Sequence, residues 1–472
     1  MLQKRGGFFL TVAGLLAWGS AAAIAESDLF VVTTADFETG STALLAAGAE
    51  MAQTELLSPI HGDAVARYQD GKIYIVERFL GDNIIVLDPQ DLRTPVVQFS
   101  VGNGANPQDI ELFGADKAYV SRYNSAALLV VDPRDGSELG EIDLSGLADA
   151  DGLPEMGEMA AVGSRLYVAL QRLDNFAPTE FSYLAVIDMN SDAVVDMDPD
   201  TEGVQGIRLA TTNPNEVVAV GQKVFVAGVA GFGDRAGGLE VVDIETNQSG
   251  GVVISEEALG GDLTALAMAS QERGFAVVLD DNFAYQVRPV DLVSGVVGAA
   301  LEGHSGGFTP ALAVDGERLV VADRGPFDDP DRGGLLIYDV SSGALLRGPI
   351  STGLPPAGLA VLKDAGGTAV LEEAMQVLPQ QASLSPAYPN PFNAATTIPF
   401  MLESAQAHMS LAVYDSLGRQ VRVLEQGPLQ AGRYVYSWDG RNEAGKAVGN
   451  GAYLIQLRLG QDHLTSKVML VK

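Results

Sequence analysis

One short pattern recurs through the middle of the chain: an aliphatic run that ends in aspartate and is followed by a turn. Successive aspartates of this pattern are 44, 56, 55, 48 and 48 residues apart. The six runs are NIIVLDP at Asp88, ALLVVDP at Asp132, YLAVIDM at Asp188, GLEVVDI at Asp243, VRPVDLV at Asp291 and GLLIYDV at Asp339. Each follows another strand-like run, and repeated units of four short strands are typical of β-propeller blades. The pattern therefore predicts an all-β propeller.

The number of units predicts a seven-bladed β-propeller over residues 26–362. Six units are clear, and a seventh is assembled from LFVVTT at 29–34 and PAGLAVL at 356–362. Pairing these distant segments closes the ring and leaves no free sheet edge. Six or eight blades remain alternatives, and residues 40–57 also fit one short helix.

The units resemble the YVTN family of propeller repeats. The best match is PQDIELFGADKAYVSRYNSAALLVVDPRDGSELGEIDL, residues 107–144, where Ser121-Arg122-Tyr123 replaces the usual Thr-Asn of the family. The resemblance extends over residues 27–362. It implies a fold rather than an activity, because propellers carry unrelated functions.

The charge of the middle region excludes one class of partner. The chain holds 61 acidic and 29 basic residues, and residues 26–383 alone carry 55 acidic and 19 basic residues, a net charge of −36. A domain this acidic repels phosphate backbones, so we expect no nucleic-acid partner. The chain has no cysteine, which excludes disulfides, thiolate metal sites and thiol nucleophiles.

The first 25 residues have the pattern of a secretory signal peptide. Lys4 and Arg5 precede an apolar run, and Ala23-Ile24-Ala25 predicts cleavage before Glu26. No later stretch of 18 apolar residues follows, so we expect no membrane span in the mature chain. The predicted location is the cell surface or the medium, reached through the periplasm.

Two sets of charged residues are candidates for a ligand-binding ring on one face of the propeller. Loops that enter the innermost strands share a face with loops between second and third strands. The carboxylates of the first set are Asp63, Asp109, Glu158 and Glu216, and the arginines of the second set are Arg78, Arg122, Arg172 and Arg324. They predict either ion pairs within blades or a polar ring that binds a cation, sugar, peptide or protein.

Two further motifs on the propeller are weaker. Asp328, Asp329 and Asp331 lie in one loop and are candidate calcium ligands, although their spacing is not that of an EF-hand. GHSGG at 303–307 fits the Gly-x-Ser-x-Gly pattern, but no helix follows it as a nucleophile elbow requires, and we interpret the match as chance. We predict no catalytic residue and no cofactor other than this possible calcium.

The last part of the chain predicts a second β domain. After a predicted linker at 363–383, residues 384–472 alternate apolar and polar residues in six or seven short runs, which is typical of a β-sandwich. Val413, Tyr414, Trp438, Tyr453 and Leu457 are the predicted core. YPNPFN at 388–393 opens the domain, and its prolines hold the entry segment extended so that Phe392 can close one end of the sandwich.

This second domain resembles the C-terminal sorting domain of the type IX secretion system and the related immunoglobulin-like (Ig-like) domain of the flagellar hook-capping protein. The matching segments are YPNPFN, TTI, VYDSLGRQVRVL, AGRYVYSWDGRNEAGKAVGNGAYLIQL and KVMLVK, with Ala394 where proline is usual. The motif residues are Pro389, Asn390, Pro391, Phe392, Asn393, Trp438, Asp439, Gly440, Gly451 and Tyr453.

The resemblance implies export across the outer membrane, with the secretion machinery as partner of this domain. The leading interpretation of the whole chain is therefore an exported binding or scaffold protein. A hydrolase or lactonase with a metal in the propeller channel and a structural surface-layer component are the alternatives.

Overall fold

A computed structural model describes residues 26–34, 39–174, 176–363, 382–384, 392, 395–402, 406–415, 419–430, 432–449, 451–459 and 462–470. The chain divides into two compact units, Met1–Ala374 and Met375–Lys472, which we call the propeller unit and the sandwich unit. The predicted signal peptide and most of the predicted linker lie outside the described residues. In the part of the chain described, no helix is long and apolar enough to cross a membrane.

The propeller unit is built from short strands that pair in sequence order. Runs rich in Val, Ile and Leu form the middle strands, whose side chains are buried on both faces, as in β5, β9 and β20. Its strands are β1 (Asp28–Thr34), β2 (Thr39–Leu45), β3 (Ile60–His61), β4 (Ala64–Gln69), β5 (Lys72–Glu77), β6 (Asn83–Leu87), β7 (Val97–Ser100), β8 (Pro107–Leu112), β9 (Ala118–Arg122), β10 (Ala127–Val131), β11 (Glu138–Asp143), β12 (Met156–Val162), β13 (Arg165–Leu170), β14 (Leu173–Asp174), β15 (Ala177–Pro178), β16 (Tyr183–Asp188), β17 (Ala193–Val194), β18 (Ile207–Arg208), β19 (Pro214–Val220), β20 (Lys223–Gly228), β21 (Gly238–Asp243), β22 (Gln248–Ser255), β23 (Asp262–Met268), β24 (Arg273–Leu279), β25 (Tyr285–Asp291), β26 (Val296–Val297), β27 (Ala311–Asp315), β28 (Arg318–Asp323), β29 (Gly334–Asp339), β30 (Leu345–Ile350) and β31 (Pro356–Leu362).

Helical structure among the described residues is confined to short segments. They are α1 (Glu256–Leu259) and two 3-10 turns, Ser145–Leu147 and Pro330–Arg332.

Seven antiparallel sheets of four or five strands lie among the described residues of this unit. Their orders are β4-β5-β6-β7, β8-β9-β10-β11, β12-β13-β16-β17 with β18 beside β16, β19-β20-β21-β22, β23-β24-β25-β26, β27-β28-β29-β30 and β31-β1-β2-β3. The first strands contact one another in the cyclic order β4, β8, β12, β19, β23, β27, β31 and back to β4. The all-β propeller class is confirmed, and we call these sheets blades 1 to 7 in that order.

Blade 7 joins the two ends of the propeller unit. Strand β31 pairs with β1, with Leu359 opposite Val31, as the ring-closure prediction requires. The helix considered for residues 40–57 is wrong, because Thr39–Leu45 forms β2 and pairs with β1. The reason is burial: β2 lies between β1 and β3, and residues 40–45 are buried on both faces of the sheet except for the half-buried Leu44, whereas a surface helix buries one side only.

The repeated aspartates that reveal the blades hold the turn after each third strand. The Oδ1 atom of Asp88 accepts the backbone N–H of Gln90 at 2.8 Å, and Asp132 accepts that of Arg134 at 2.9 Å. Asp188, Asp243, Asp291 and Asp339 make the same kind of bond to residues two or three positions on. These are Asx-type turns, so the repeat reflects turn chemistry rather than a shared ligand site.

The sandwich unit contains the predicted two-layer β domain. Its strands are β32 (Ala382–Leu384), β33 (Thr396–Leu402), β34 (Gln406–Asp415), β35 (Gln420–Leu429), β36 (Gly432–Trp438), β37 (Gly451–Leu459) and β38 (Asp462–Leu470). They form one sheet in the order β32-β33-β36 and another in the order β35-β34-β37-β38. Val413, Trp438, Tyr453 and Leu457 are buried in its core as predicted, while Tyr414 is half-buried.

Candidate functional site

The innermost strands of blades 1 to 4 bring one arginine and several carboxylates together. Arg67 on β4 donates from Nε to Asp109 Oδ1 on β8 at 2.7 Å, and from Nη2 to Glu158 Oε1 on β12 at 2.9 Å. The Asp109 side chain is only 1% exposed, and its Oδ2 also accepts the backbone N–H of Met159 at 3.0 Å. We call Arg67, Asp109, Glu111, Glu158 and Glu216 the channel cluster.

Besides Asp109, whose pKa burial also raises, two carboxyl groups of the channel cluster hold their protons more tightly than usual. Burial raises the pKa of Glu111 to about 8, although its Oε2 accepts a hydrogen bond from Gln69 Nε2 at 2.9 Å. Burial and the neighbouring Glu158 raise the pKa of Glu216 well above its ordinary value. Both shifts have the same origin, because a carboxylate loses its hydration and faces like charges in the protein interior.

The channel cluster does not fit a metal centre. The Arg67 guanidinium already occupies the position of a cation between Asp109 and Glu158, and it satisfies their facing oxygens. Burial and the neighbouring Glu158 raise the pKa of Glu216, which disfavours the charged form that a metal ligand needs. No group of three or more His, Asp or Glu side chains among the described residues is arranged to hold a metal ion.

Another predicted carboxylate and arginine form a pair of their own. Arg78 donates to Asp63 Oδ1 from Nε at 2.9 Å and from Nη2 at 2.5 Å. The backbone N–H of Arg78 also donates to the Asp63 carbonyl at 2.8 Å. This contact fastens the loop entering β4 to the loop after β5, which is the blade-internal ion pair considered from the sequence.

The other three predicted arginines bond to their own surroundings. Arg122 reaches Glu141 Oε1 on the outer strand of its blade at 2.5 Å. The Arg172 guanidinium lies 4.2 Å from the centre of the Phe181 ring and donates to the Phe181 carbonyl. Arg324 is buried and donates to the Thr34 carbonyl at 3.0 Å. The described residues therefore assemble no ring in which these arginines face the carboxylates of the channel cluster.

Two weaker sequence motifs lie in loops. Asp328, Asp329 and Asp331 are all exposed, and the calcium hypothesis for them stays a prediction from the sequence. In GHSGG, the Ser305 hydroxyl donates to Asp323 Oδ1 at 2.6 Å, while His304 Nε2 contacts Thr309 Oγ1 at 2.7 Å. Ser305 thus bonds to Asp323 rather than to His304, whose Nε2 lies 3.8 Å from Oδ2 of the same carboxylate, and strand β27 follows rather than a helix.

The described residues of the sorting motif surround one end of the sandwich core. Phe392 is buried, its ring centre lies 5.4 Å from that of Trp438, and Trp438 makes an edge contact with Tyr453 at 4.9 Å. Gly440 has a φ of +64°, and a Cβ there would lie 3.2 Å from a methyl of Leu470.

The remaining motif residues lie at the edge of this core or outside the described chain. Asp439 accepts a hydrogen bond from Arg422 Nη1 at 2.6 Å, and Gly451 begins β37. Pro389, Asn390, Pro391 and Asn393 lie outside the described residues.

Sequence reasoning missed Arg67, Glu111 and Gln69. The signal was present in AVARYQ, where Arg67 places a basic side chain on an innermost strand, whereas the innermost strands of blades 2 to 4 carry carboxylates. Gln69 binds two innermost-strand positions of the next blade, since its Nε2 donates to Glu111 and its Oε1 accepts the N–H of Leu112 at 2.8 Å.

Comparison with known proteins assigns a family to one part of the chain. Residues 390–462 match the FlgD Ig-like domain. The basal-body rod modification protein FlgD of Salmonella typhimurium is 39% identical over 64 residues, which cover 13% of this chain and 28% of that protein. The chain therefore spans less than a third of the length of the curated relatives that it matches.

Solved structures resemble the rest of the chain in fold. A protein from Lactobacillus plantarum superposes with a TM-score of 0.50 at 14% identity, covering 71% of this chain and 98% of that one. PorZ of Porphyromonas gingivalis, a surface component of its type IX secretion system, gives a TM-score of 0.43 at 14% identity over 92% of this chain and 63% of that one. At 14% identity, the similarity to the Lactobacillus plantarum protein concerns the fold alone. The family match belongs to residues 390–462, an Ig-like domain similar to that of FlgD.

Proposed function

We propose that the protein is an exported binding or scaffold protein, delivered to the cell surface or the medium by its sandwich unit. The observation that carries this proposal is the FlgD Ig-like match over 390–462, which begins within the YPNPFN motif at 388–393. The signal-peptide pattern at 1–25 is consistent with entry into the periplasm. The type IX route is the finer part of the proposal, and it rests on the resemblance of motif and domain.

The contacts of Phe392 support a structural reason for the motif. The Phe392 ring lies against Trp438, and Phe392 pairs with Leu470 in an isolated bridge near the end of β38. The motif would then complete the folded sandwich that the secretion machinery recognises. A folded surface, rather than a linear peptide, is the recognition element in this proposal.

The propeller unit is proposed to be the passenger and to bind rather than catalyse. Its closed ring of strands presents many loops on a rigid support, an arrangement suited to binding. The channel cluster pairs its arginine with its charged carboxylates, which disfavours the metal-dependent lactonase alternative. The surface-layer alternative predicts export without a specific ligand.

Export is tested in a host that has a type IX system by locating three forms of the chain: full length, lacking 384–472, and carrying Phe392→Ala. Phe400→Ala is the matched control, because Phe400 is equally buried in the same core but outside the motif. We expect the truncated form to remain in the periplasm. We expect the amount of Phe392→Ala at the surface and in the medium to fall at least tenfold. Phe400→Ala should be delivered normally, provided that its resistance to protease shows that it is folded.

Different outcomes separate the parts of this proposal. Unchanged delivery of the truncated form would refute the sorting role of the sandwich unit. Equal loss of both phenylalanine variants would indicate that the machinery reads the stability of the domain and not the motif.

A further inference from the structure

Exposed phenylalanines crowd one face of the propeller unit. A large apolar side chain in water is unfavourable, and six phenylalanines among the described residues are nevertheless exposed. They are Phe79 (56% exposed), Phe176 (87%), Phe232 (71%), Phe283 (83%), Phe308 (39%) and Phe327 (106%). Five lie between the second and third strands of blades 1, 3, 4, 5 and 6, and Phe308 lies in the loop entering β27.

Backbone hydrogen bonds within blades 1, 4 and 6 place the two kinds of loop on the same side of each blade. The N–H of Arg78 donates to the Asp63 carbonyl, that of Ala230 to the Thr212 carbonyl at 3.0 Å, and that of Arg324 to the Phe308 carbonyl at 3.0 Å. Each bond joins a loop after a second strand to a loop that enters a first strand. Because strand direction alternates, both kinds of loop leave the same side of every blade. We call this side the phenylalanine face.

Local structure fixes two of these rings outside the core. Phe176 and Phe283 have φ values of 64° and 59°, a region that bulky residues rarely adopt. Asp280 holds the second loop by accepting the N–H of Asn282 at 2.8 Å and that of Ala284 at 3.0 Å. A strained backbone that exposes an aromatic ring is a feature that function explains better than folding does.

Carboxylates accompany the phenylalanines in the sequence. Each of the five second-to-third-strand loops has an aspartate within three residues of its phenylalanine: Asp82, Asp174, Asp234, Asp281 and Asp328. The arginines of the same loops are largely engaged. Arg78 bonds to Asp63, and Arg235 bonds to both Asp262 and Asp281. Arg332 is exposed, but it follows three aspartates in its loop.

A cavity of about 740 Å³ opens on this face between blades 5, 6 and 7. Phe283, Phe308 and Phe327 line it together with Tyr285 and Asp331, and the buried Arg324 contributes to its wall. Glycine-rich loop backbone forms much of the remaining lining. A concave site with aromatic walls and a few polar groups buries more of a bound side chain than a flat surface does.

We propose that the phenylalanine face binds an extended basic polypeptide segment, with lysine or arginine stems lying over the rings and their charged heads near the loop aspartates. Aliphatic stems cover aromatic surface while the cation gains from both ring and carboxylate. Charge complementarity selects this occupant, because residues 26–383 carry a net charge of −36 and repel a second copy of the same unit. The inference rests on the proposed binding role and names the chemistry of its partner.

The test measures binding of a labelled dodecapeptide of Lys-Leu-Gly repeats, and of its Glu-Leu-Gly counterpart, to the full chain at 150 mM salt. One variant replaces three rings on the phenylalanine face without changing charge: Phe79→Ser, Phe232→Ser and Phe327→Ser. A matched control removes three exposed apolar side chains elsewhere: Leu139→Ser, Val293→Ser and Val296→Ser. All six side chains are solvent-exposed, so both triple variants are expected to fold.

We expect the lysine peptide to bind, the glutamate peptide not to bind, and the Kd for the lysine peptide to rise about tenfold or more in the ring variant, since a few aromatic anchors dominate such surfaces. The control variant should change the Kd less than twofold. Equal weakening in both variants, or none in either, would overturn the proposal. The peptide would then bind only through the general attraction between a polycation and an acidic protein.

Two further outcomes would assign the face to another occupant and so overturn the proposal. One is binding of neutral oligosaccharides that only the ring variant abolishes. The other is a dimer in sedimentation velocity that only the ring variant dissociates. The localisation experiment above is independent, since a chain that reaches the surface but ignores the lysine peptide refutes this inference and leaves export intact.

Discussion

Two sets of carboxylates in the propeller unit show opposite behaviour. The aspartates after the third strands lie at turns, where N–H and hydroxyl donors stabilise the charged form; hydrogen bonds from Ser342 and Ser341 lower the pKa of Asp339 to about 2. In the channel cluster, burial raises the pKa of Glu111 to about 8. Environment, not residue type, sets the sign of the shift. The turn acids therefore serve folding within each blade, and the channel acids mark where the innermost strands of different blades meet.

The largest expected effect tests the pairing inside the channel cluster. Arg67→Leu leaves Asp109, whose side chain is 1% exposed, without its cation. Removing one partner of a buried pair costs about 3–5 kcal/mol, because the remaining charge stays desolvated. We expect the free energy of unfolding in urea to fall by that order, and Asp109→Asn in the same chain to restore part of it.

Arg78→Leu is the matched control for this prediction. The side chains of Arg78 and Asp63 are each about a third exposed. Such exposed pairs contribute roughly 0–1 kcal/mol to the free energy of unfolding. If the two arginine variants were equally stable, the channel cluster would be solvated like the surface, and the contrast between the two sets of carboxylates would disappear.

The next effect concerns pH and the raised pKa of Glu111. Its pKa is about 8 in the folded chain and 4.5 as an ordinary glutamate, so the folded state holds a proton between those values that the unfolded state releases. The free energy of unfolding therefore decreases as pH rises from about 4.5 to about 8. Glu111→Gln removes this decrease. At pH 9 the free energy of unfolding of this variant should exceed that of the wild type by an amount on the order of a few kcal/mol.

Urea unfolding at pH 5 and pH 9 measures this difference. Glu138→Gln, at an exposed position on β11, should show none of this dependence. An advantage of Glu111→Gln that is the same at both pH values would mean that the folded chain does not hold the proton, and that Glu111 titrates as an ordinary surface acid.

The sequence predicted the repeated parts of this molecule well and its individual contacts poorly. The blades, the closing pair of β1 and β31, and the sandwich core around Trp438 follow from periodicity, because each buried run must be covered by its neighbours. The prediction that Asp109 and Glu158 occupy corresponding positions was useful, but their partner Arg67 lies on blade 1, one blade before Asp109 and two blades before Glu158. Contacts between blades depend on how innermost strands meet, and a repeat pattern does not encode this.

The phenylalanine face also escaped sequence reasoning, although each ring is visible in its loop. The phenylalanines of RFLGD, NFAP, GFGD, NFAY and PFDD occupy different offsets in loops of different length, so no repeat pattern aligns them. Only a common face brings them together. Exposure of an aromatic ring is a property of the folded chain, since hydrophobicity alone predicts burial.

The smallest expected effect concerns a turn aspartate. Asp339 accepts the N–H of Ser342 at 2.7 Å and the hydroxyls of Ser341 and Ser342 at 2.7 and 2.6 Å. Its lowered pKa means that the charged form contributes stability above the ordinary pKa, and that this contribution is lost as pH falls toward about 2. Asp339→Ala should therefore lower the thermal midpoint slightly at pH 7, by an amount that shrinks as pH falls below 4. Asp200→Ala, at an exposed position, is the control.

The pH trend is opposite to that of the channel glutamate, because here folding favours losing the proton whereas in the channel it favours keeping it. A midpoint difference that grew toward low pH would show that the Asp339 turn is held by its protonated form, and would remove the distinction between the two sets.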